Sequence, residues 1–427
     1  MRILWVSNSP IGPVAKVLNK EYGGTSGGWI QSEYEQLEQD NKYQNQFYFL
    51  TTSPHIVKGS ILHNKNEFGE AFCINSPKLT YGISISKKMQ KEVDDILARI
   101  NPDVIHIWGT ETWLSYAVSK SICSIPKVVF IQGLIGVHCR YRGGYFKNYK
   151  ENKTYINDIS WLNKIKDYFK KKYFNVQAEI EKNCIKNCGN VIVDSDFARA
   201  YCYSLSNEIV CYQHALLPNK IFYSKTWSLS QCKQRRIFTI YGSSADKGTH
   251  NLLRAVSILK KKYPDIVVSI PGNYETDASG KLVLSKNNPF QRILYKMIDS
   301  LQLGENIVFV GKLNPQQMAD ELQKCHLFVN TSCMEVHSLS LREAMVEGVP
   351  CITTLCGSIG EFVKHKENGL IYRYEEFESL AHYIDYIFSN DELAVKISEN
   401  AKRAFDYMIT ESKSLEMIYE DMSSKKS

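Results

Sequence analysis

Two glutamates, Glu335 and Glu343, punctuate the stretch EVHSLSLREAMVEGVP that runs from Glu335 to Pro350. The apolar run Leu327-Phe328-Val329 precedes it and Cys351-Ile352-Thr353-Thr354 follows, so the order reads strand, turn, helix, strand. Between the carboxylates lie Ser338, Leu339 and Ser340, whose backbone N–H groups go unpaired at a helix N-terminus. Such an end attracts phosphate. Carboxylates accept from sugar hydroxyls and open N–H groups donate to a diphosphate, so the pattern suits a nucleotide-sugar site.

Two further stretches carry phosphate-binding chemistry. Tyr241-Gly242-Ser243-Ser244-Ala245-Asp246-Lys247-Gly248 follows a strand, and Thr249 is placed to cap the helix after it. A cation at Lys247 can neutralise a diphosphate; a surface lysine in a tight turn is the other reading. Near the N-terminus, a loop rich in small residues runs from Ser9 to Gly28 between a strand and a helix. Glycine there lets the backbone approach a phosphate closely. The loop is not GxGxxG, and a flexible connection reads equally well.

These residues need a frame of short buried strands. Ile3–Ser7, Phe47–Leu50, Val104–Trp108, Val128–Ile131 and Asn190–Val193 are strand-like. Lys87–Ile100 repeats Met89, Val93, Ile96, Leu97 and Ile100 at helical spacing. Alternating units of this kind predict a doubly wound parallel sheet. The segment from Gly136 to about Lys186, rich in Tyr and Lys, breaks the rhythm, and such insertions shape acceptor pockets. Polar residues from Ser224 to Arg235 mark a boundary. A second series then follows: Ile237–Tyr241, Ile266–Ile270, Ile307–Val310, Leu327–Val329, Cys351–Thr353 and Gly369–Tyr372. The predicted domains are 1–218 and 236–404.

Bulk properties fit this frame. A chain of 427 residues exceeds one compact core. No apolar run approaches a membrane span, and Met1–Val6 reads as a first strand rather than a signal peptide. Twelve cysteines without a CxxC pair read as reduced thiols of a cytoplasmic protein, and no metal is expected. The formal charge of +7 gathers in lysine runs such as Lys170-Lys171-Lys172. A solvated helix face explains them; attraction to anionic lipid, at the inner face of a membrane, is the sharper reading. Nucleic acid is not expected, because no recognition motif accompanies the basic residues.

Taken together, the motifs resemble a family 4 glycosyltransferase of the GT-B class. Those that carry the resemblance are Glu335-x7-Glu343, Gly357-Ser358-Ile359-Gly360-Glu361, Glu367-Asn368-Gly369-Leu370, Lys247-Gly248 before a helix ending at Tyr263-Pro264, and Pro102-Asp103-Val104-Ile105-His106-Ile107. The resemblance implies an α/β GT-B fold, two Rossmann-like doubly wound domains facing across a cleft. The last helix, from about residue 405, would cross back to the first domain. It also implies a retaining, metal-independent transferase without a cofactor, using a nucleotide-diphosphate sugar, with a UDP-sugar as the expected donor. Expected acceptors are glycans or polyprenyl-linked glycans in polysaccharide biosynthesis.

Site roles follow from the same likeness. Glu335 would contact sugar hydroxyls and Glu343 the ribose, while the amides near Ser338 and Leu339 and the Lys247 side chain would hold the diphosphate. Gly28, Gly242 and Ser243 would line the nucleotide side. Ile131-Gln132-Gly133-Leu134 resembles a surface-polysaccharide branch in which Gln132 replaces a histidine. Gln132 can orient a sugar but cannot shuttle a proton. Many relatives carry an arginine where Ser243 and Ser244 stand.

Local structural readings stand beside these roles. Glu343 lies three residues after Ser340, which fits a capping box. Glu347, one turn further, reads as solvated. His106 reads as a core histidine. Glu111 could meet acceptor hydroxyls, and Arg140 and Arg142 an acceptor phosphate. Two other functions compete: an epimerase of GT-B-like fold, which needs no acceptor, and a non-catalytic glycan- or nucleotide-binding subunit.

Overall fold

A computed structural model describes residues 1–10, 12–18, 28–39, 45–76, 85–144, 146, 161–240, 242, 244–272, 288–406 and 412–424. The chain divides into two compact units. One comprises Met1–Cys139, Tyr168–Leu216 and Met408–Ser427; the other comprises Arg140–Asp167 and Leu217–Tyr407.

The first unit is built on strands β1 (Arg2–Ser7), β2 (Gln46–Ser53), β3 (Ile61–Asn66), β4 (Gly69–Asn75), β5 (Val104–Trp108), β6 (Lys127–Phe130), β7 (Asn190–Val193) and β8 (Val210–Gln213). Their order is β3-β4-β2-β1-β5-β6-β7-β8, parallel except for the antiparallel β3–β4 pair. β5 is buried at all five residues, as a parallel strand covered on both faces should be. Helix Lys87–Ile100 buries Met89, Val93, Ile96, Leu97 and Ile100, its predicted apolar stripe. The Ser86 hydroxyl caps it by accepting from Met89 N at 3.2 Å, and Asn101 ends it in the left-handed region at φ 44°.

The C-terminal helix Leu415–Ser424 groups with this first unit. Its Tyr419 hydroxyl accepts from Trp5 Nε1 at 3.0 Å and is hydrogen-bonded to His106 Nδ1 at 2.5 Å. Complete burial pushes the His106 pKa well below its ordinary value. The imidazole is therefore neutral and anchors the terminal helix to the core.

The second unit contains β9 (Arg236–Thr239), β10 (Val267–Pro271), β11 (Ile307–Gly311), β12 (Leu327–Asn330), β13 (Cys351–Thr354) and β14 (Leu370–Tyr372). The order is β11-β10-β9-β12-β13-β14 with every pair parallel. Numbered within the unit this is 3-2-1-4-5-6, the doubly wound dinucleotide-binding order.

Two segments fall differently from the sequence reading. Residues 219–235, read as a boundary, pack into the second unit: Trp227 is buried, its N donates to Glu347 O at 2.8 Å and its Nε1 to Cys325 O at 2.8 Å. Arg140–Asp167 also groups with the second unit. Phe146 stands edge-on to His250 at 4.8 Å and to Phe290 at 5.7 Å. These aromatic contacts outweigh the segment's place in the chain.

Candidate functional site

Strand order in the second sheet reverses between β9 and β12, and open α/β sheets bind ligands beyond the strand ends at such a point. The turn carrying Gly242 and Lys247 leaves β9, and the turn carrying Glu335 leaves β12. There the two side chains meet: Lys247 Nζ donates to Glu335 Oε1 at 2.7 Å. Burial works to lower the Lys247 pKa, but the Glu335 carboxylate outweighs it and holds it above the ordinary value, with Asp246 adding to the effect. The ammonium is charged at neutral pH.

Backbone contacts fix both residues. Cys333 N donates to Asp246 O at 2.8 Å, Thr331 Oγ1 to Lys247 O at 2.6 Å and the Tyr374 hydroxyl to Ala245 O at 2.6 Å. Gly248 has φ +70°, and a Cβ there would lie 1.9 Å from Thr331 O. A Cβ on Gly242 would lie 2.2 Å from Lys247 Cβ. On the other side, Gly357 at φ +51° brings its backbone against Glu335, where a Cβ would lie 1.7 Å from Glu335 O. Ser358 N donates to that oxygen at 3.3 Å, and Ser358 Oγ donates to Val336 O.

Helix Leu339–Val346 begins at Ser338, which is left-handed at φ 41° and ψ 56°. In that conformation a glycine would be unstrained. Asn330 at the end of β12 holds the serine, with Nδ2 3.2 Å from Ser338 Oγ and 3.2 Å from Thr353 Oγ1. No side chain caps this helix. The N–H groups of Leu339 and Ser340 have no acceptor among the described residues. They form the open donor pair that an anion requires.

The capping box expected at Ser340 and Glu343 does not form. Ser340 is the second helical residue rather than the cap, so Glu343 sits too far along to reach back. Glu343 has no hydrogen-bond partner among the described residues, and burial alone pushes its pKa to about 7. Thr249 does not cap its helix either. Gly248 is the cap residue, and Thr249 Oγ1 is buried without a partner among the described residues.

Glu347 is not solvated but fully buried, and neither carboxylate oxygen finds a hydrogen bond among the described residues. Burial pushes its pKa to about 8, with Lys225 pulling it down and Glu343 pushing it up. The folded state thus keeps a proton that the unfolded chain gives up near its ordinary value of 4.5. Stability therefore falls as pH rises from there to about 8. Glu347→Gln is expected to stabilise the protein by about 2 to 4 kcal/mol at pH 8.5 and not at pH 4. Denaturant titrations at the two pH values measure the difference.

In the first unit, the strand order reverses between β1 and β5. The turn after β5 carries Glu111, and the turn after β6 carries Gln132. Glu111 Oε2 and Gln132 Oε1 lie 3.4 and 3.5 Å from the position a Cβ would take on Gly109. Gln132 Nε2 is buried and has no partner among the described residues.

Residues 228–404 match the family described as glycosyl transferases group 1. The matched stretch is less than half of the chain. The Lys247–Glu335 pair, the open helix start and Glu343 all lie within it. The chain is 28% identical over 184 residues to the putative glycosyltransferase YtcC of Bacillus subtilis, covering 42% of this chain and 43% of that protein. It is 26% identical over 226 residues to the N-acetyl-alpha-D-glucosaminyl L-malate synthase of Bacillus anthracis, covering 50% and 55%. The chain thus spans about half the length of the curated relatives it matches. Among solved structures, sucrose-phosphate synthase from Thermosynechococcus elongatus superposes with a TM-score of 0.68 at 16% identity, over 99% of this chain and 98% of that one. Anabaena HepE, solved with UDP and glucose, superposes with a TM-score of 0.64 at 15% identity, over 99% and 100%. These likenesses establish the fold as GT-B, two Rossmann-like units in one chain.

Within the matched stretch the structure places Gly242, Lys247, Glu335, Ser338, Leu339 and Glu343 on the turns and the helix that follow the central strands β9 and β12. Ser243 lies outside the described residues. Gln132 and Gly28 belong to the first unit, where Gly28 is the first residue of helix Gly28–Gln39. Most of the loop leading to Gly28 lies outside the described residues. Asn330, which orients Ser338, escaped the sequence reading. A polar residue ending an apolar strand beside this motif was the available signal.

Proposed function

We propose that the chain is a retaining, metal-independent glycosyltransferase that moves a sugar, in the first instance a hexose, from a nucleotide-diphosphate sugar to a glycan or polyprenyl-linked acceptor in polysaccharide biosynthesis. A UDP-sugar is the preferred donor. The observation that carries the reading is Glu343: a largely covered carboxylate with no partner among the described residues, beside two open helix N–H groups and the Lys247–Glu335 pair. Ribose hydroxyls donating to Glu343 would satisfy it, and the N–H groups would then face the diphosphate.

Chemistry follows from this arrangement. As the glycosidic bond stretches, negative charge grows on the leaving diphosphate. Fixed N–H donors and the Lys247 ammonium stabilise that charge more than they stabilise the ground state. Glu335 would accept from donor sugar hydroxyls and so fix the ring. The acceptor hydroxyl attacks on the face the diphosphate leaves, and a phosphate oxygen takes its proton. No protein base is needed, so the two glutamates are not the acid/base pair of a glycosidase.

Exposed Tyr168 and Phe169, with rings 5.7 Å apart, are followed by exposed Lys170, Lys171 and Lys172. Such a turn suits the anionic inner face of a membrane, where a lipid-linked acceptor resides. No helix among the described residues is long and apolar enough to cross a membrane.

A thermal-shift screen over nucleotide-sugars, followed by titration of the best donor against pH, tests the reading. A donor at 100 times its Kd stabilises by about 2.7 kcal/mol. The ionised form of Glu343 accepts from hydroxyls, so affinity should rise about three- to tenfold between pH 6 and 8, and Glu343→Gln should flatten the profile. The diphosphate of an intact nucleotide-sugar does not titrate in that range, so the Glu343→Gln comparison separates Glu343 from Glu347 as the source. Absence of a shift with every donor would refute the proposal. Isomerisation of donor without acceptor would favour the epimerase.

A further inference from the structure

Glu181, in the first unit, lies on the long helix Trp161–Cys188 and is fully buried. Nothing in the lysine-rich sequence around it marks it out. Its carboxylate nonetheless gathers donors from three separate segments. Oε2 accepts from Ile135 N at 2.7 Å, and Oε1 accepts from Gly136 N at 3.0 Å and from the Tyr201 hydroxyl at 2.7 Å. Thr110 Oγ1 lies 3.4 Å from Glu181 Oε2 and 3.4 Å from Glu111 Oε2, so one hydroxyl proton stands between two carboxylates. Thr110 N donates to Glu111 Oε2 at 2.9 Å.

The donors come from the turn after β5, the start of helix Ile135–Tyr141 and helix Asp196–Leu205. The turn after β5 carries Glu111, and the turn leading from β6 into helix Ile135–Tyr141 carries Gln132. The fit is tight: a Cβ on Gly136 would lie 2.5 Å from the Tyr201 hydroxyl oxygen and 3.1 Å from Glu181 Oε1. Burying a carboxylate is unfavourable, and a well-packed apolar side chain is often at least as stable in its place. Here burial pushes the Glu181 pKa up to about 7 against the pull of its N–H and O–H donors. What the carboxylate supplies and an apolar group cannot is alignment of two backbone N–H groups and two hydroxyls at once.

We propose that Glu181 is a positioning residue of the transfer reaction. It ties the turn after β5 to the turn after β6, so that Glu111 and Gln132 are presented together at the strand ends. Glu181 itself touches neither donor nor acceptor. The inference rests on the glycosyltransferase reading above for its consequence in turnover, but not for its structural core.

The test compares wild type, Glu181→Gln and Glu181→Asp in the full chain. Hydrogen exchange is followed on peptides spanning 131–139 and on control peptides of the second unit, alongside donor affinity and donor turnover. In the glutamine variant a single acceptor oxygen must replace two, so exchange at Ile135 and Gly136 should accelerate about tenfold or more, with control peptides unchanged. Turnover should fall about thirtyfold while the Kd for the nucleotide-sugar stays within about twofold, because the donor is held by the other unit. Aspartate keeps both oxygens and should restore a substantial part of both protection and turnover. Should the glutamine variant not fold, the aspartate variant carries the same comparison against wild type.

Unchanged exchange over 131–139 would overturn the proposal. Accelerated exchange with full turnover would overturn it too, because the tie would then have no bearing on the reaction. A wild-type protein that binds and turns over no nucleotide-sugar would count against the glycosyltransferase reading instead, and the exchange comparison would still decide whether Glu181 holds the two turns.

Discussion

Glu335→Gln should lower donor turnover by about 100-fold or more, the scale seen when one group acting on the reacting centre is lost. Two effects combine. The neutral amide accepts more weakly from sugar hydroxyls, and it releases Lys247 from the 2.7 Å pair that now orients the ammonium. Nucleotide affinity should change only a few-fold, because Glu343 and the N–H groups of Leu339 and Ser340 do not depend on Glu335 for their placement. The fold should hold, because the Glu335 backbone is clasped by the Gly357-Ser358 turn whatever the side chain. Turnover within about threefold of wild type, with the protein folded, would remove Glu335 from the site.

Gly357→Ala should be the most disruptive single methyl in the second unit. The residue sits at φ +51°, and the new Cβ would fall 1.7 Å from Glu335 O and 2.8 Å from Glu335 C. Backbone, not a flexible side-chain end, blocks it, so either the turn moves or Glu335 does. A left-handed alanine is already unfavourable, and the forced displacement adds to it, for about 3 kcal/mol in all. The melting temperature should drop by about 6 to 10 °C. Donor turnover should fall further than stability alone explains, because Glu335 is displaced even in the molecules that fold. Gly304→Ala is the control: no atom lies within 4 Å of a Cβ there. Calorimetry and turnover on both variants would show the contrast, and equal effects would refute the packing argument.

Much of this was legible in the sequence because parallel strands buried on both faces read as short apolar runs. β5 and β7 were found at their full extents, and helix Lys87–Ile100 showed its apolar stripe and its stop. The hairpin β3–β4 was not legible. β3 alternates half-covered and exposed residues as Ile61, Leu62, His63, Asn64, Lys65 and Asn66, which resembles a loop. β8, with the exposed Val210 at its start, was missed for the same reason.

Site residues divided along similar lines. Glu335, Lys247 and Glu343 were visible because the motif is local. The left-handed backbone of Ser338, held by Asn330 at the end of β12, was not. Burial of Glu347 and the donors gathered by Glu181 were invisible. In both cases the contacts come from segments far apart in the chain, and a glutamate in a charged helix normally faces water.

Donor turnover by the wild-type protein tests the central claim most directly. Nucleotide-sugars selected by thermal shift would be incubated with the protein, alone and with lipid-linked glycan, and followed by proton NMR. The expected result is release of nucleoside diphosphate, accelerated by acceptor, with the first-formed sugar product keeping the anomeric configuration of the donor. A donor that stays intact under both conditions, or one that is isomerised without release of nucleoside diphosphate, would contradict it.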